Sequence, residues 1–445
     1  MNHKQIAISC LFFLSSLPVF SQEKRQLNLD DAINLSINNS KLLKLNQAKI
    51  DEAMASVKAA EDNKLPNASV SGSYLRLGNA NVDMKTANNN PGNGGGGSKT
   101  PEVSQALYGM LNLSMPLYTG GKIKYGIESA KYLAEAVKLD AEDDKDELIQ
   151  NTIEAFVNLY KANTAVMLMK ENLQAAKQRV TDLTNLEKNG LLARNDLLKA
   201  ELQASNVEQN LLDADNNLQF ANLNMNLMLG FPNNTQLVLD TVGIEKRDEG
   251  DKVLNDYISE ALQSRKDLKA ISFRKKAAVN GVKSVNAEKY PGLQVSGGYI
   301  AADIPNLITI TNAMNIGLGI SYNVSSLWKL KSKVQQAEAK VKQVTLNEAM
   351  MNDNITLQVS KAYLSLMSSR KKIEVSELAM NQAKENYRIV KNKFDNSLAT
   401  TTELLDADAA QLQATLGYTL TRADAYVAYN KLLQVSGILA SSLKK

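Results

Sequence analysis

The sequence predicts an α+β protein in which long antiparallel coiled-coil helices carry four strands per chain, laid out as an internal two-fold repeat. Three observations predict it. Ala, Leu, Lys, Asn and Gln dominate while aromatic residues are only 5 % of the 445, a composition of long helices rather than layered sheets. Two ungapped self-matches run through the chain. Short stretches of period-two alternation interrupt the helical pattern at equivalent places in each copy.

The N-terminus reads as a signal peptide over residues 1–21. Lys4 supplies the positive charge, Ile6 to Phe20 is apolar, and cleavage after Ser21 leaves Gln22 first. Processing as a lipoprotein at Cys10, which follows Ser9, is the alternative. The apolar run continuing past Cys10, and Ala7 where such sites prefer a large aliphatic residue, count against it. No later stretch reaches the roughly 18 apolar residues of a spanning helix, so the mature chain is exported without a helical anchor.

The first self-match places Asp31 on Asp256, Pro66 on Pro291, Val70-Ser71-Gly72 on Val295-Ser296-Gly297 and Tyr74 on Tyr299, an offset of 225. The second places Ala155 on Ala362, Asn189 on Asn396, Leu197-Leu198 on Leu404-Leu405 and Gly230 on Gly437, an offset of 207. The two offsets, 225 and 207, differ by 18, so an insertion of that size separates the blocks in the first copy. It falls at about 84–101, where Asn88 to Pro91 and Gly94 to Gly97 read as a solvated loop. The equivalent connection in the second copy is short, about 303–306. The repeats are thus 22–230 and 231–445.

Each copy opens with a helix, about Asp30 to Leu65 and Asp251 to Tyr290, stopped by Pro66 and Pro291. Strands follow near Asn67 to Leu77 and Gly292 to Ala301. The second strand of each pair alternates clearly: Leu107, Gly109, Leu111, Leu113, Met115 and Leu117 in one, Met314, Ile316, Leu318 and Ile320 in the other. Helices then run from about Lys122 to Lys188 and Lys329 to Phe394, each roughly 100 Å at 1.5 Å per residue. They turn near Gly190 and Ser397. The first returns with Leu197, Ala200, Ala204, Val207, Leu211, Ala214, Leu218, Ala221, Met225 and Met228 spaced by three and four, a coiled-coil seam.

The single histidine (His3) and the single cysteine (Cys10) lie inside the signal. The mature chain therefore lacks most metal sites and nucleophile–base pairs, and neither a catalytic site, a metal site nor a cofactor is expected. The net charge is +4 with lysines spread along the helices, unlike the concentrated basic face of a nucleic-acid binder. Four strands cannot close a barrel in lipid, where open edges are not tolerated. Membrane strands would have to be pooled from several chains under cyclic symmetry. Tyr118, Tyr290, Tyr322 and Trp328 stand at strand–helix junctions, either as an interfacial belt or as ordinary corner packing.

With these features the chain resembles the TolC family of outer-membrane efflux proteins over nearly all of its mature length. The carrying motifs are Pro116-Leu117-Tyr118-Thr119-Gly120-Gly121, Gly190-Leu191 before Asp196-Leu197-Leu198-Lys199-Ala200-Glu201, and Glu403-Leu404-Leu405-Asp406-Ala407. The resemblance implies a homotrimer whose twelve strands close one outer-membrane barrel and whose twelve helices form an α-barrel through the periplasm. It implies a passive exit duct of a tripartite efflux or type I secretion system, working with a periplasmic adaptor protein and an inner-membrane pump. The loop at 84–101 would be extracellular, and the tips, about 187–195 and 394–402, periplasmic. A structural coiled-coil or adhesin-like surface protein is the rival reading.

The resemblance also assigns sites. Glu403 and Asp406 match the acidic residues that line the narrowest part of the entrance, and lie three apart on one helix face. Trimer symmetry would repeat them as carboxylate rings, a cation-attracting constriction. Asp196 is the first-copy equivalent of Glu403, with Lys199 in place of Asp406. Stabilising a helix N-terminus is the alternative role of Asp196 and Glu403. Gly190, Leu191, Leu192 and Leu398 at the tips are candidate adaptor contacts, since exposed apolar residues at a turn want a partner. Phe394 replaces the family's latch tyrosine and cannot donate its hydrogen bond.

Overall fold

The computed structural model describes residues 24–80, 103–240 and 252–442. The expected signal peptide and the loop at 84–101 lie outside them. The chain begins with β1 (Lys24–Leu27), α1 (Leu29–Asn39) and α2 (Lys41–Asp62). The hairpin β2 (Asn67–Ala80) and β3 (Val103–Tyr118) follows, then α3 (Lys122–Lys188) and α4 (Arg194–Leu229). The second half runs β4 (Gln236–Leu239), α5 (Leu254–Ser264), α6 (Lys266–Asn286), β5 (Gly292–Ile304), β6 (Ile308–Ser321), α7 (Ser326–Asp395), α8 (Thr401–Val435) and the short α9 (Leu439–Ser442).

The first long helix, α3, has the bounds the sequence expects; α7 starts three residues earlier, at Ser326, and ends one later, at Asp395; neither contains a proline and each is followed by a turn. Two further features differ from expectation. The opening helix of each copy is broken, at Ser40 and at Arg265, whose backbones leave the helical region with ψ of 121° and 131°. Ser40 Oγ accepts from Leu43 N at 3.2 Å and so restarts the helix. The Arg265 side chain instead donates to Gln358 Oε1 and the Val435 carbonyl. The strands β1 and β4 were also not expected; they pair in parallel, Lys24 opposite Gln236 through Leu27 opposite Leu239.

The chain divides into two compact units. One draws on residues up to Asn46, Ala141–Lys266 and Met351 onward; the other on Gln47–Asp140 and Asp267–Met350. In the first, Ile153, Phe156, Leu159, Leu229, Met225 and Leu432 are fully buried. Asn222 and Asn226 of α4 hold the approach to β4: each donates to the Thr235 carbonyl, and Asn222 Oδ1 accepts from Leu237 N at 3.0 Å. Every residue of the α4 seam is buried or half-buried.

The second unit contains an antiparallel sheet of order β2-β3-β5-β6. Directly paired residues share a face, so the register sorts the side chains. On one face Ile320 is opposite Leu293, Leu318 opposite Val295 and Met314 opposite Tyr299; Val295 also meets Met115, and Leu111 lies between Tyr299 and Val70. On the other face Gly319 meets Gln294, Asn315 meets Gly298, Ser296 meets Ser114, and Asn112 meets Ser69. Apolar exceptions there are Met110 and Ile300, which lie against each other, and, toward the far end of the strands, Leu75, Ile304, Ile308 and Ile310. Pro116 is tolerated in β3 because β2 stops at Asn67, opposite Ser114, and leaves that side unpaired. The four strands carry two charged residues, Arg76 and Asp303, both toward the end away from Pro66 and Tyr118.

Candidate functional site at the helical tips

The α3–α4 and α7–α8 connections are built alike. Gly190 has φ +72° and Ser397 φ +61°. Leu191 N donates to the Leu186 carbonyl and Leu398 N to the Lys393 carbonyl, while Gly190 N and Ser397 N reach Glu187 and Phe394. This pattern satisfies the last carbonyls of each long helix and turns the chain through one left-handed residue. Glycine adopts that conformation freely; Ser397 does so at a cost.

Leu191 and Leu398 project from the two turns, 74 % and 76 % exposed. Leu192, which the sequence groups with them, is turned inward. It packs with Val180, Leu186 and Phe394 on a buried cluster of Leu183, Leu197, Ala200 and Leu405. The cluster joins both hairpins within the first unit. Phe394 is therefore a packing residue here, its ring holding α7 against α3, α4 and α8.

The acidic candidates separate by environment. Glu403 Oε2 accepts from Thr400 N at 2.7 Å and from Thr400 Oγ1 at 2.9 Å, and Thr400 Oγ1 accepts from Glu403 N at 3.2 Å. This is a reciprocal capping box at the start of α8. The Thr400 backbone N–H and hydroxyl hold the Glu403 carboxyl below its ordinary range. The run Thr400-Thr401-Thr402-Glu403 carried this signal in sequence. Asp196 sits in the first turn of α4 without capping it; its carboxylate takes Lys199 Nζ at 3.2 Å. Lys199 also reaches Thr402 Oγ1 at 3.1 Å and so ties the two tips together. Asp406 is exposed one turn beyond Glu403, with its carboxylate in no ion pair among the described residues.

One group near the tips had no signal in local sequence. Arg179 of α3 donates to Asp408 Oδ2 of α8 at 2.9 Å and to the Tyr387 hydroxyl of α7 at 3.3 Å. Burial works against the Arg179 charge, but the Asp408 and Tyr387 oxygens outweigh it and raise its pKa above the ordinary value. Arg179 is one turn from Leu183, Asp408 one turn from Leu405, and Tyr387 two turns from Phe394. The polar contact thus caps the apolar cluster. Among the described residues no group of His, Cys, Asp or Glu could hold a metal ion, and no helix is long and apolar enough to cross a membrane.

An open antiparallel sheet together with long helical hairpins is the architecture of the outer-membrane export channels. The chain belongs to the outer membrane efflux protein family, which matches residues 32–231 and 257–438. No curated protein sequence is significantly similar to it. Solved structures share the fold at low identity. The outer-membrane channel CmeC of Campylobacter jejuni is 17 % identical, with a TM-score of 0.75, over 94 % of this chain and 88 % of that one. The outer membrane protein VceC of Vibrio cholerae is 17 % identical, with a TM-score of 0.73, over 92 % and 96 %. The open-state MtrE channel of Neisseria gonorrhoeae is 15 % identical, with a TM-score of 0.71, over 92 % and 89 %. The function is that of an outer-membrane channel of tripartite efflux systems, and the family is one of passive conduits rather than enzymes.

Proposed function

We propose that three copies of this chain close a twelve-stranded barrel in the outer membrane, continued by their helices into the periplasm as a passive exit duct. The observation that carries this is the sheet: over the half of the strands next to the helices one face is apolar and the other largely polar, and both edge strands, β2 and β6, are unpaired within the chain. Met314, Ile316, Leu318 and Ile320 stand 72–87 % exposed on β6. An open edge in lipid costs several kcal/mol for each unpaired backbone group. Pairing β6 of one copy with β2 of the next removes every edge and turns the apolar face to lipid. The adhesin-like reading gives that face nothing to meet.

In this assembly Asp406 supplies the main carboxylate ring of the entrance, with Glu403 beside it and Asp196 held back by Lys199. Leu191 and Leu398 offer the tips to a periplasmic adaptor and, through it, an inner-membrane pump. Gly190 shapes the first tip, and Leu192 supports it from inside. The contacts of Arg179 with Asp408 and Tyr387, together with Phe394, hold the two hairpins in the resting arrangement.

Cysteine pairs test the closure, because the mature chain has no other thiol. Single cysteines placed along β2 combined with single cysteines along β6 should give covalent dimers and trimers on oxidation, for the pairs in register. A full panel yielding only monomer would overturn the proposal.

A further inference from the structure

The segments where the sheet meets its helices share an uncommon charge balance. Residues 118–125, 283–290 and 322–333 contain seven lysines and one acidic residue, Glu288. All three segments lie in the second unit. Glu288 binds Lys122 at 3.0 Å and Lys333 at 2.7 Å, so one carboxylate serves two ammonium groups. Lys124 and Lys283 flank the Tyr125 ring at 5.9 and 5.6 Å. Lys329 and Lys331 are exposed and have no carboxylate partner among the described residues.

Helix stability does not account for these lysines. Lys122 and Lys124 open α3, Lys329 and Lys331 fall in the first two turns of α7, and neither helix has an acidic residue in its first turn. Cations there oppose the helix dipole. Beside them the surface is apolar and aromatic: Leu327 is 71 % and Trp328 64 % exposed, and Tyr118, Tyr290 and Tyr322 are exposed as well. The apolar face of β6 ends at Ile320, directly before this collar. Uncharged apolar strand, then aromatic rings, then lysines is the order of chemistry met in passing from acyl chains through the interface to phosphates.

We propose that this collar binds anionic phospholipid headgroups of the inner leaflet and gathers such lipids around the channel. The proposal rests on the membrane placement argued above. Lys329 and Lys331 supply the free charge, and Trp328 with Leu327 anchors the helix start at headgroup depth.

Trp328 is the only tryptophan of the chain, so its fluorescence reports the lipid beside this collar and nothing else. The full chain is reconstituted in bilayers of phosphatidylcholine with a minor fraction of phosphatidylglycerol. Brominated, quenching acyl chains are carried by one lipid or the other at equal mole fraction. A lysine near an anionic surface favours it by roughly fivefold, so brominated phosphatidylglycerol should quench Trp328 about twofold or more above brominated phosphatidylcholine. The K329Q/K331Q variant should lose that preference, as should the wild type in high salt, while quenching by phosphatidylcholine persists. Equal quenching by both lipids in the wild type would overturn the collar and leave the membrane placement standing. Quenching by neither would overturn both.

Discussion

Arg179 and Asp408 meet at 2.9 Å although 229 residues separate them, and each side chain is only 11 % exposed. Removing one partner of such a buried pair leaves an uncompensated charge, at a cost of about 3–5 kcal/mol. Arg179→Ala or Asp408→Ala should therefore loosen the contact between the hairpins, lower the thermal midpoint and raise resting conductance. The double change Arg179→Met, Asp408→Leu should recover most of the stability, since an apolar pair of similar volume is nearly neutral. Equal destabilisation by the single and double variants in thermal melts would count against a paired role.

Asp406 and Glu403 should not be equivalent. Asp406→Asn removes an exposed charge and should cut cation selectivity, read as a shift in reversal potential under a salt gradient. Glu403→Gln should change selectivity less, because its carboxylate is turned onto Thr400. The reverse ranking would contradict the assignment.

Glu403 also sets a pH dependence. Its carboxyl is held below the ordinary range in the folded chain, so the stability it adds is fully present above the unfolded value of about 4.3. That stability is lost as the pH falls through the lower folded value. Glu403→Ala should lower the thermal midpoint at pH 7, by a margin that shrinks as acidification protonates the carboxyl. A margin that does not shrink on acidification would show that the capping carboxylate is not its source.

The tips give a separable phenotype. Leu191→Ser with Leu398→Ser should weaken adaptor binding in pull-down or calorimetry while trimer melting stays within about 0.5 kcal/mol, as for surface substitutions generally. Leu192→Ser should instead lower stability, because Leu192 packs on the cluster around Leu183. If Leu192→Ser weakened the adaptor without a stability cost, the division between outward and inward leucines would be wrong.

Much of this was legible in the sequence, and the divide follows the range of the interaction. The course of α4, the first turn and the strand pairs are written in local patterns: three-four spacing, Gly190, and alternation from Met314 to Ile320. The breaks at Ser40 and Arg265 carry no such mark. One is a hydroxyl replacing a helical carbonyl; the other is a side chain held by Gln358 and Val435, far along the chain. The pairing of β1 with β4 joins segments more than 200 residues apart. Arg179, Tyr387 and Asp408 each read as ordinary helix-surface residues, and only the packing of three helices makes them a site.

The sheet faces predict opposite tolerances. Met314→Arg, mid-strand on the apolar face of β6, should destabilise the barrel by about 2–4 kcal/mol, the cost of an arginine near the bilayer midplane. Asn315→Arg on the polar face should be tolerated and alter conductance. Urea titration of the reconstituted chain checks the first, single-channel recording the second.

Planar-bilayer recording tests the central claim most directly. Purified full-length trimer should insert and give discrete, cation-selective steps, small in the resting state and enlarged by Arg179→Ala. Trimer shown to be present in the bilayer but passing no current, in wild type and Arg179→Ala alike, would contradict the channel account.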